Sequence, residues 1–67
     1  PVRDRLYIRS DEAVDQVIIH DISGKIRIQT ALPDGEVNIR NLSAGLYFVR
    51  IRTTSGETVR KIIVSNY

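Results

Sequence analysis

The sequence predicts an all-β fold, a small sandwich or barrel, and three observations carry that expectation. The four glycines, Gly24, Gly35, Gly45 and Gly56, are almost evenly spaced. Turn signals about 8–12 residues apart, between short alternating runs, mark small antiparallel β folds. The gaps between them are filled with β-branched residues, which suit a pleated, half-buried surface. No stretch sustains a 3.6-residue apolar period, so no helix is expected. At 67 residues the chain has room for one domain, which buries only about 60% of its unfolded surface.

Six strands follow in order. The first is Arg5–Arg9, with Leu6 and Ile8 on one face and charge on the other. Asp11-Glu12-Ala13 reads as a polar loop. The second strand runs from Val14 to His20, and a Ser23-Gly24 turn leads into the third, Lys25 to Thr30. That turn sets Ile19 opposite Ile28, His20 opposite Arg27 and Asp21 opposite Ile26, so that Val17, Ile19, Ile26 and Ile28 share a buried face. Pro33-Asp34-Gly35 is a strong turn signal, because proline presets φ and glycine accepts φ > 0. The fourth strand, Glu36–Arg40, points Val37 and Ile39 inward. In the Asn41–Gly45 connection Leu42 is expected to plug the core. The fifth strand, Leu46–Thr53, pairs with the sixth, Thr58–Val64, across Thr54–Glu57. That register places Tyr47 opposite Val64, Val49 opposite Ile62 and Ile51 opposite Arg60. Tyr47, Val49, Ile51, Ile62 and Val64 form its inner face, and Arg50 falls opposite Lys61.

Composition removes several function classes. There is no cysteine and a single histidine, so disulfides, cysteine-zinc sites and multi-histidine metal sites are not expected. No apolar run approaches the roughly 20 residues of a membrane span. Pro1 stands where an initiator methionine is expected, so residues 1–67 are read as one domain cut from a longer protein. Ten Lys and Arg against eight Asp and Glu give a net charge of +2, which permits an anionic partner without demanding one. Nucleic acid would want a denser basic stripe with more aromatics.

Nothing in the chain assembles a catalytic set. His20 and Asp21 are neighbours on a strand and therefore point to opposite faces. Asp21 is better placed to open a turn, its carboxylate taking the following backbone N–H groups. The serines sit in turns or the tail with no histidine to activate them, and the isolated glycines make no phosphate loop. Asn41-Leu42-Ser43 fits the glycosylation pattern, which is common by chance. One surface stands out. Opposite the core, the last hairpin carries Phe48, Arg50, Arg52 and Lys61 among Leu46, Val59 and Ile63. Like charges facing each other destabilise a lone sheet, so this face suits an anionic or apolar partner; the alternative is a solvated outer face whose long side chains cover their apolar neighbours.

Four segments in order then resemble a known family. They are Pro1–Ile8, Val17–Lys25, Leu42–Ile51 and Gly56–Val64. Their patterns are Pro-hydrophobic-x-Asp, Asp-x-x-Gly-Lys (Asp21, Gly24, Lys25), Leu-x-x-Gly-hydrophobic-Tyr (Leu42, Gly45, Tyr47), and Gly56 leading to a Lys-hydrophobic finish. Together they are similar to the C-terminal sorting domains of type IX secretion substrates in Bacteroidetes, across almost the whole chain. The family's usual preceding Asn is absent, and the chain ends Ser65-Asn66-Tyr67 where the family often ends in Lys.

The resemblance implies an Ig-like β-sandwich of six to seven mostly antiparallel strands at the end of a larger secreted protein. It implies an address rather than an enzyme, with no cofactor. The parent is in the periplasm in transit, then on the outer-membrane surface or outside the cell. The outer-membrane translocon reads the domain, and a surface sortase removes it and joins the cargo to anionic lipopolysaccharide. Lys61, Ile62, Ile63 and Val64, on an edge strand, are the expected anchor for recognition by β-augmentation. The alternative is a retained module that binds lipopolysaccharide or a glycan through Phe48, Arg50, Arg52 and Lys61. An exposed edge also predicts dimerisation or strand swapping.

Overall fold

The computed structural model describes residues 4–10, 12–31 and 35–65. The opening Pro1-Val2-Arg3, the Pro33-Asp34 half of the third turn and the terminal Asn66-Tyr67 lie outside the described residues. The regular structure of the described residues is strand alone, in six segments: β1 (Arg5–Tyr7), β2 (Val14–Asp21), β3 (Ile26–Thr30), β4 (Glu36–Asn38), β5 (Gly45–Thr53) and β6 (Gly56–Val64). Two antiparallel sheets stack as a sandwich, one of four strands in the order β3-β2-β5-β6, the other only β1 and β4. β1 and β4 are shorter than the alternation suggests. Their pairing nevertheless continues one residue each way, through Ile8 N–H to Gly35 O and Ile39 N–H to Asp4 O, both 2.8 Å.

The core lies between the sheets. Val17 and Ile19 of β2, Tyr47 and Val49 of β5, and Val64 of β6 face Val37, Ile39 and Leu42 of the opposite layer, all buried. Leu6, Ile8, Val14, Ile28, Ile51 and Ile62 pack around them, half-exposed. Strand parity explains the assignment: every second residue of β2 and β5 meets the core. Leu42 plugs the sandwich as expected, where Leu42 N–H bonds Ile39 O at 3.0 Å and turns the chain toward β5.

Both hairpins correct the expected registers. In the first, Ile19 does face Ile28, but His20 faces Ile26 instead of Arg27. The turn holds three residues, not two. Asp21 O accepts Gly24 N–H, and Asp21 N–H donates to Lys25 O, both at 3.0 Å, with Gly24 at φ +90. A type I turn closed by a residue with positive φ needs glycine at that point. Arg27 is then left as the extra residue of a bulge. The bulge turns Ile26 to the outer face, 54% exposed, and removes it from the expected core.

In the second hairpin Thr54-Ser55 alone make the turn, with Thr53 opposite Gly56. Tyr47 therefore faces Ile62, Val49 faces Arg60 and Ile51 faces Thr58, a slip of two residues from the expected pairing. Slipping by two keeps every side chain on its own face. The inner set Tyr47, Val49, Ile51, Ile62 and Val64 is thus correct although its partners were not. The facing like charges disappear: Lys61 lies opposite Phe48, and Arg50 opposite Val59.

Two carboxylates hold the loops. Asp21 accepts Ser23 Oγ (2.6 Å), Ser23 N–H (2.9 Å), Lys25 N–H (3.1 Å) and Arg27 Nε (3.1 Å). Glu12 reaches the distant β5–β6 turn and accepts Ser55 Oγ (2.6 Å), Thr54 Oγ1 (3.1 Å) and Ser55 N–H (3.2 Å). The Ser23 hydroxyl, chiefly, holds Asp21 well below its ordinary 3.8, and the Ser55 hydroxyl, chiefly, holds Glu12 below its ordinary 4.5. Hydrogen bonds to the charged form depress a carboxyl pKa, so the stability each adds is complete above the unfolded-chain value. It is lost as pH falls through the folded value. The urea midpoint is expected to drop between about pH 6 and about pH 3. A D21N/E12Q variant should be weaker at the higher pH and lose less on acidification. An equal loss in both proteins would refute this origin of the acid sensitivity.

Candidate recognition surface

The four-stranded sheet turns one face to the core and the other to solvent, and the expected recognition residues divide between them. Lys61 is exposed and Ile63 is 57% exposed, both on the outer face of β6. Ile62 is half-buried and Val64 fully buried on the inner face. Of the expected anchor Lys61-Ile62-Ile63-Val64, two side chains point out from the outer face; Val64 is buried in the sandwich, and Ile62 packs against the core while staying half-exposed. β6 ends the strand order, so among the described residues no strand pairs with its backbone on the side away from β5.

Across the outer face the ladders line up three rows. Ile26, His20, Phe48 and Lys61 form one, Ile18, Arg50 and Val59 the next, and Gln16, Arg52 and Glu57 the third. Leu46 pairs with Ile63 at the margin. His20 stacks on Phe48 with ring centroids 5.5 Å apart and planes 23° from parallel. Its Nδ1 meets the Asp21 carbonyl at 3.2 Å, donating in the tautomer protonated there. Ile26, Leu46, Val59 and Ile63 are all substantially exposed, so the face is apolar with a basic margin.

Its charge is smaller than the arginine count suggests. Glu57 lies 3.4 Å from Arg50 Nε with one oxygen and 3.4 Å from Arg52 Nη2 with the other. Lys61 is in no ion pair among the described residues. The sequence reading of Phe48, Arg50, Arg52 and Lys61 as one face is right, but it missed Ile18, His20 and Ile26. Those join through the β2–β5 pairing and the Arg27 bulge, neither visible in local spacing. Glu57 was findable, standing just across a short turn from Arg52.

The residues of the Asp-x-x-Gly-Lys and Leu-x-x-Gly-hydrophobic-Tyr patterns serve the fold. Asp21 gathers the first turn, Gly24 supplies its positive φ, and Lys25 contributes its backbone. Leu42 fills the core, Gly45 takes φ +150 at the entry to β5, and Tyr47 is buried with its hydroxyl donating to Ser43 O at 2.8 Å. A buried tyrosine finds such a partner because an unmade bond would be costly. Gly56, at φ +141, receives the last turn. Among the described residues no cluster of His, Cys, Asp or Glu is arranged to hold a metal, and no helix is long and apolar enough to cross a membrane.

No curated protein and no solved structure matches the chain. One family does, described as the secretion system C-terminal sorting domain, over residues 1–65. The expected β architecture and the ordered motifs agree with that match, and the chain belongs to this family of type IX secretion sorting domains.

Proposed function

We propose that the domain works as a folded address, read by the type IX outer-membrane translocon from the β6 side of the sandwich. The parent is exported to the cell surface or the extracellular space, passing through the periplasm, where the domain folds. The observation that supports this reading is the placement of Lys61 and Ile63. They are exposed on an edge strand whose alternate residues face inward, Val64 buried and Ile62 packed half-buried against the core. A receptor strand pairing with β6 would find a fixed backbone edge, with one cation and one branched apolar side chain at known spacing. The domain carries no catalysis of its own; it is a ligand of the machinery and a substrate of a surface sortase that transfers the cargo to lipopolysaccharide.

Exposed substitutions separate recognition from folding. A K61E/I63S variant, fused to its parent, is expected to unfold at nearly the wild-type urea midpoint while surface delivery falls strongly. Unchanged delivery at unchanged stability would sink recognition through β6.

A second reading is favoured by the aliphatic outer face. A module retained after export could bind lipopolysaccharide or a glycan with Phe48, Arg50, Arg52 and Lys61, or cover Ile26, Val59 and Ile63 by dimerising. Retention is decided by mass: a surface protein that still contains residues 1–67 supports the module, and one that lacks them supports a cleaved address.

A further inference from the structure

The sandwich is lopsided, four strands under two, and the consequence falls on β1. Ile8 N–H and Asp4 O bond β4, and Leu6 pairs with Val37 in the same ladder. Backbone groups alternate sides along an antiparallel strand. The N–H and C=O groups of Arg5 and Tyr7 therefore point away from β4, to the open edge of the small sheet. Beneath that edge lies a cleft of about 200 Å³, floored by the half-buried Ile51 and Ile62 and walled by Leu6 and Ile8. Arg9 and Arg60 stand at its margin, and among the described residues neither has a carboxylate partner within 4.0 Å.

Among the described residues, a backbone edge without a strand partner, over an apolar cleft with two cations outside any ion pair, has the chemistry of a strand acceptor. We propose that an extended segment of another protein pairs with β1 as a third strand of the small sheet. It seats one bulky apolar side chain between Leu6, Ile8, Ile51 and Ile62, and sets an acidic residue against Arg9 and Arg60. The acidic requirement follows from charge complementarity: a strand with a basic residue there would be repelled by both arginines. The site uses the inward-facing Arg60 and Ile62 of β6 and the edge of β1, not the outer face or the backbone edge of β6, so it goes beyond the reading of β6 as the translocon's target and does not depend on it.

The test uses the 67-residue chain and a synthetic heptapeptide of alternating threonine and valine, with a central leucine and a glutamate two positions along on the same face. Titration followed by amide NMR is expected to move Arg5, Tyr7 and Arg9 and to slow hydrogen exchange at the Tyr7 amide. A peptide with lysine for the glutamate should bind about tenfold more weakly. Arg60→Glu should reverse that preference, and as an exposed substitution it leaves the fold intact. Tyr7→Pro removes an edge donor without touching the β4 ladder and should abolish binding. Shifts confined to β6, no difference between the two peptides, or a Tyr7 amide already protected in the free chain would each overturn the proposal. So would concentration-dependent self-association through the β1 edge, since it would make the occupant a second copy.

Discussion

Replacing Ile19 with alanine is expected to leave the domain largely unfolded. Ile19 is fully buried on the central strand β2, between β3 and β5 and against the opposite layer. Cutting a large aliphatic side chain from such a site costs about 2–5 kcal/mol, because the cavity adds to the lost transfer energy. A chain of this length has a total stability of roughly 3–10 kcal/mol, so one substitution removes much of it. Urea denaturation followed by far-ultraviolet circular dichroism checks the result. If the signal read by the translocon is a folded shape, the same substitution should stop export of the parent. Full export of an Ile19→Ala protein shown to be unfolded would mean that a linear segment is read instead.

Tyr47 separates two roles that its place in the family pattern combines. Its ring is 5% exposed and its hydroxyl bonds Ser43 O. Tyr47→Ala should cost about 3–5 kcal/mol by opening a ring-sized cavity. Tyr47→Phe keeps the packing and loses the hydroxyl's two hydrogen bonds, to Ser43 O and Ser43 Oγ, so it should cost only about 1–2 kcal/mol. Export should follow stability, collapsing in the alanine variant and persisting in the phenylalanine variant. Failure of the phenylalanine variant to export, at near-normal stability, would show that the hydroxyl is itself read by a partner.

The faces of the strands were legible in the sequence, and the pairings were less so. Val37 and Ile39 alternate with polar neighbours, and that period alone puts them inside; Val17, Ile19, Tyr47, Val49 and Val64 stand in more continuous apolar runs, where strand parity counted from the turns selects their face. Pairing depends on how many residues a turn consumes, and Thr54-Ser55 consumed two where four were expected. The resulting shift was even, which is why the core survived the error. At Arg27 the shift was odd: the bulge turned Ile26 over, and a residue read as core became part of the outer surface. The capture of the Thr54-Ser55 turn by Glu12 joins positions 43 residues apart, beyond any local pattern. The β2–β5 pairing that brings His20 onto Phe48 is equally non-local. Asp21 was readable because its partners are its own near neighbours. The family pattern was readable for a related reason: most of its residues solve local problems of turning and plugging that recur wherever this sandwich is built.

The measurement that bears most directly on the folded address is delivery of a reporter. Residues 1–67 are joined to the C-terminus of a fluorescent protein that folds in the periplasm, in a type IX-competent bacterium, and the reporter is located by surface proteolysis. The expected result is surface exposure with the intact chain, and retention in the periplasm with the Ile19→Ala and K61E/I63S chains. A reporter that stays in the periplasm with the intact, folded chain would contradict it, leaving a domain with the family's fold but without its signal.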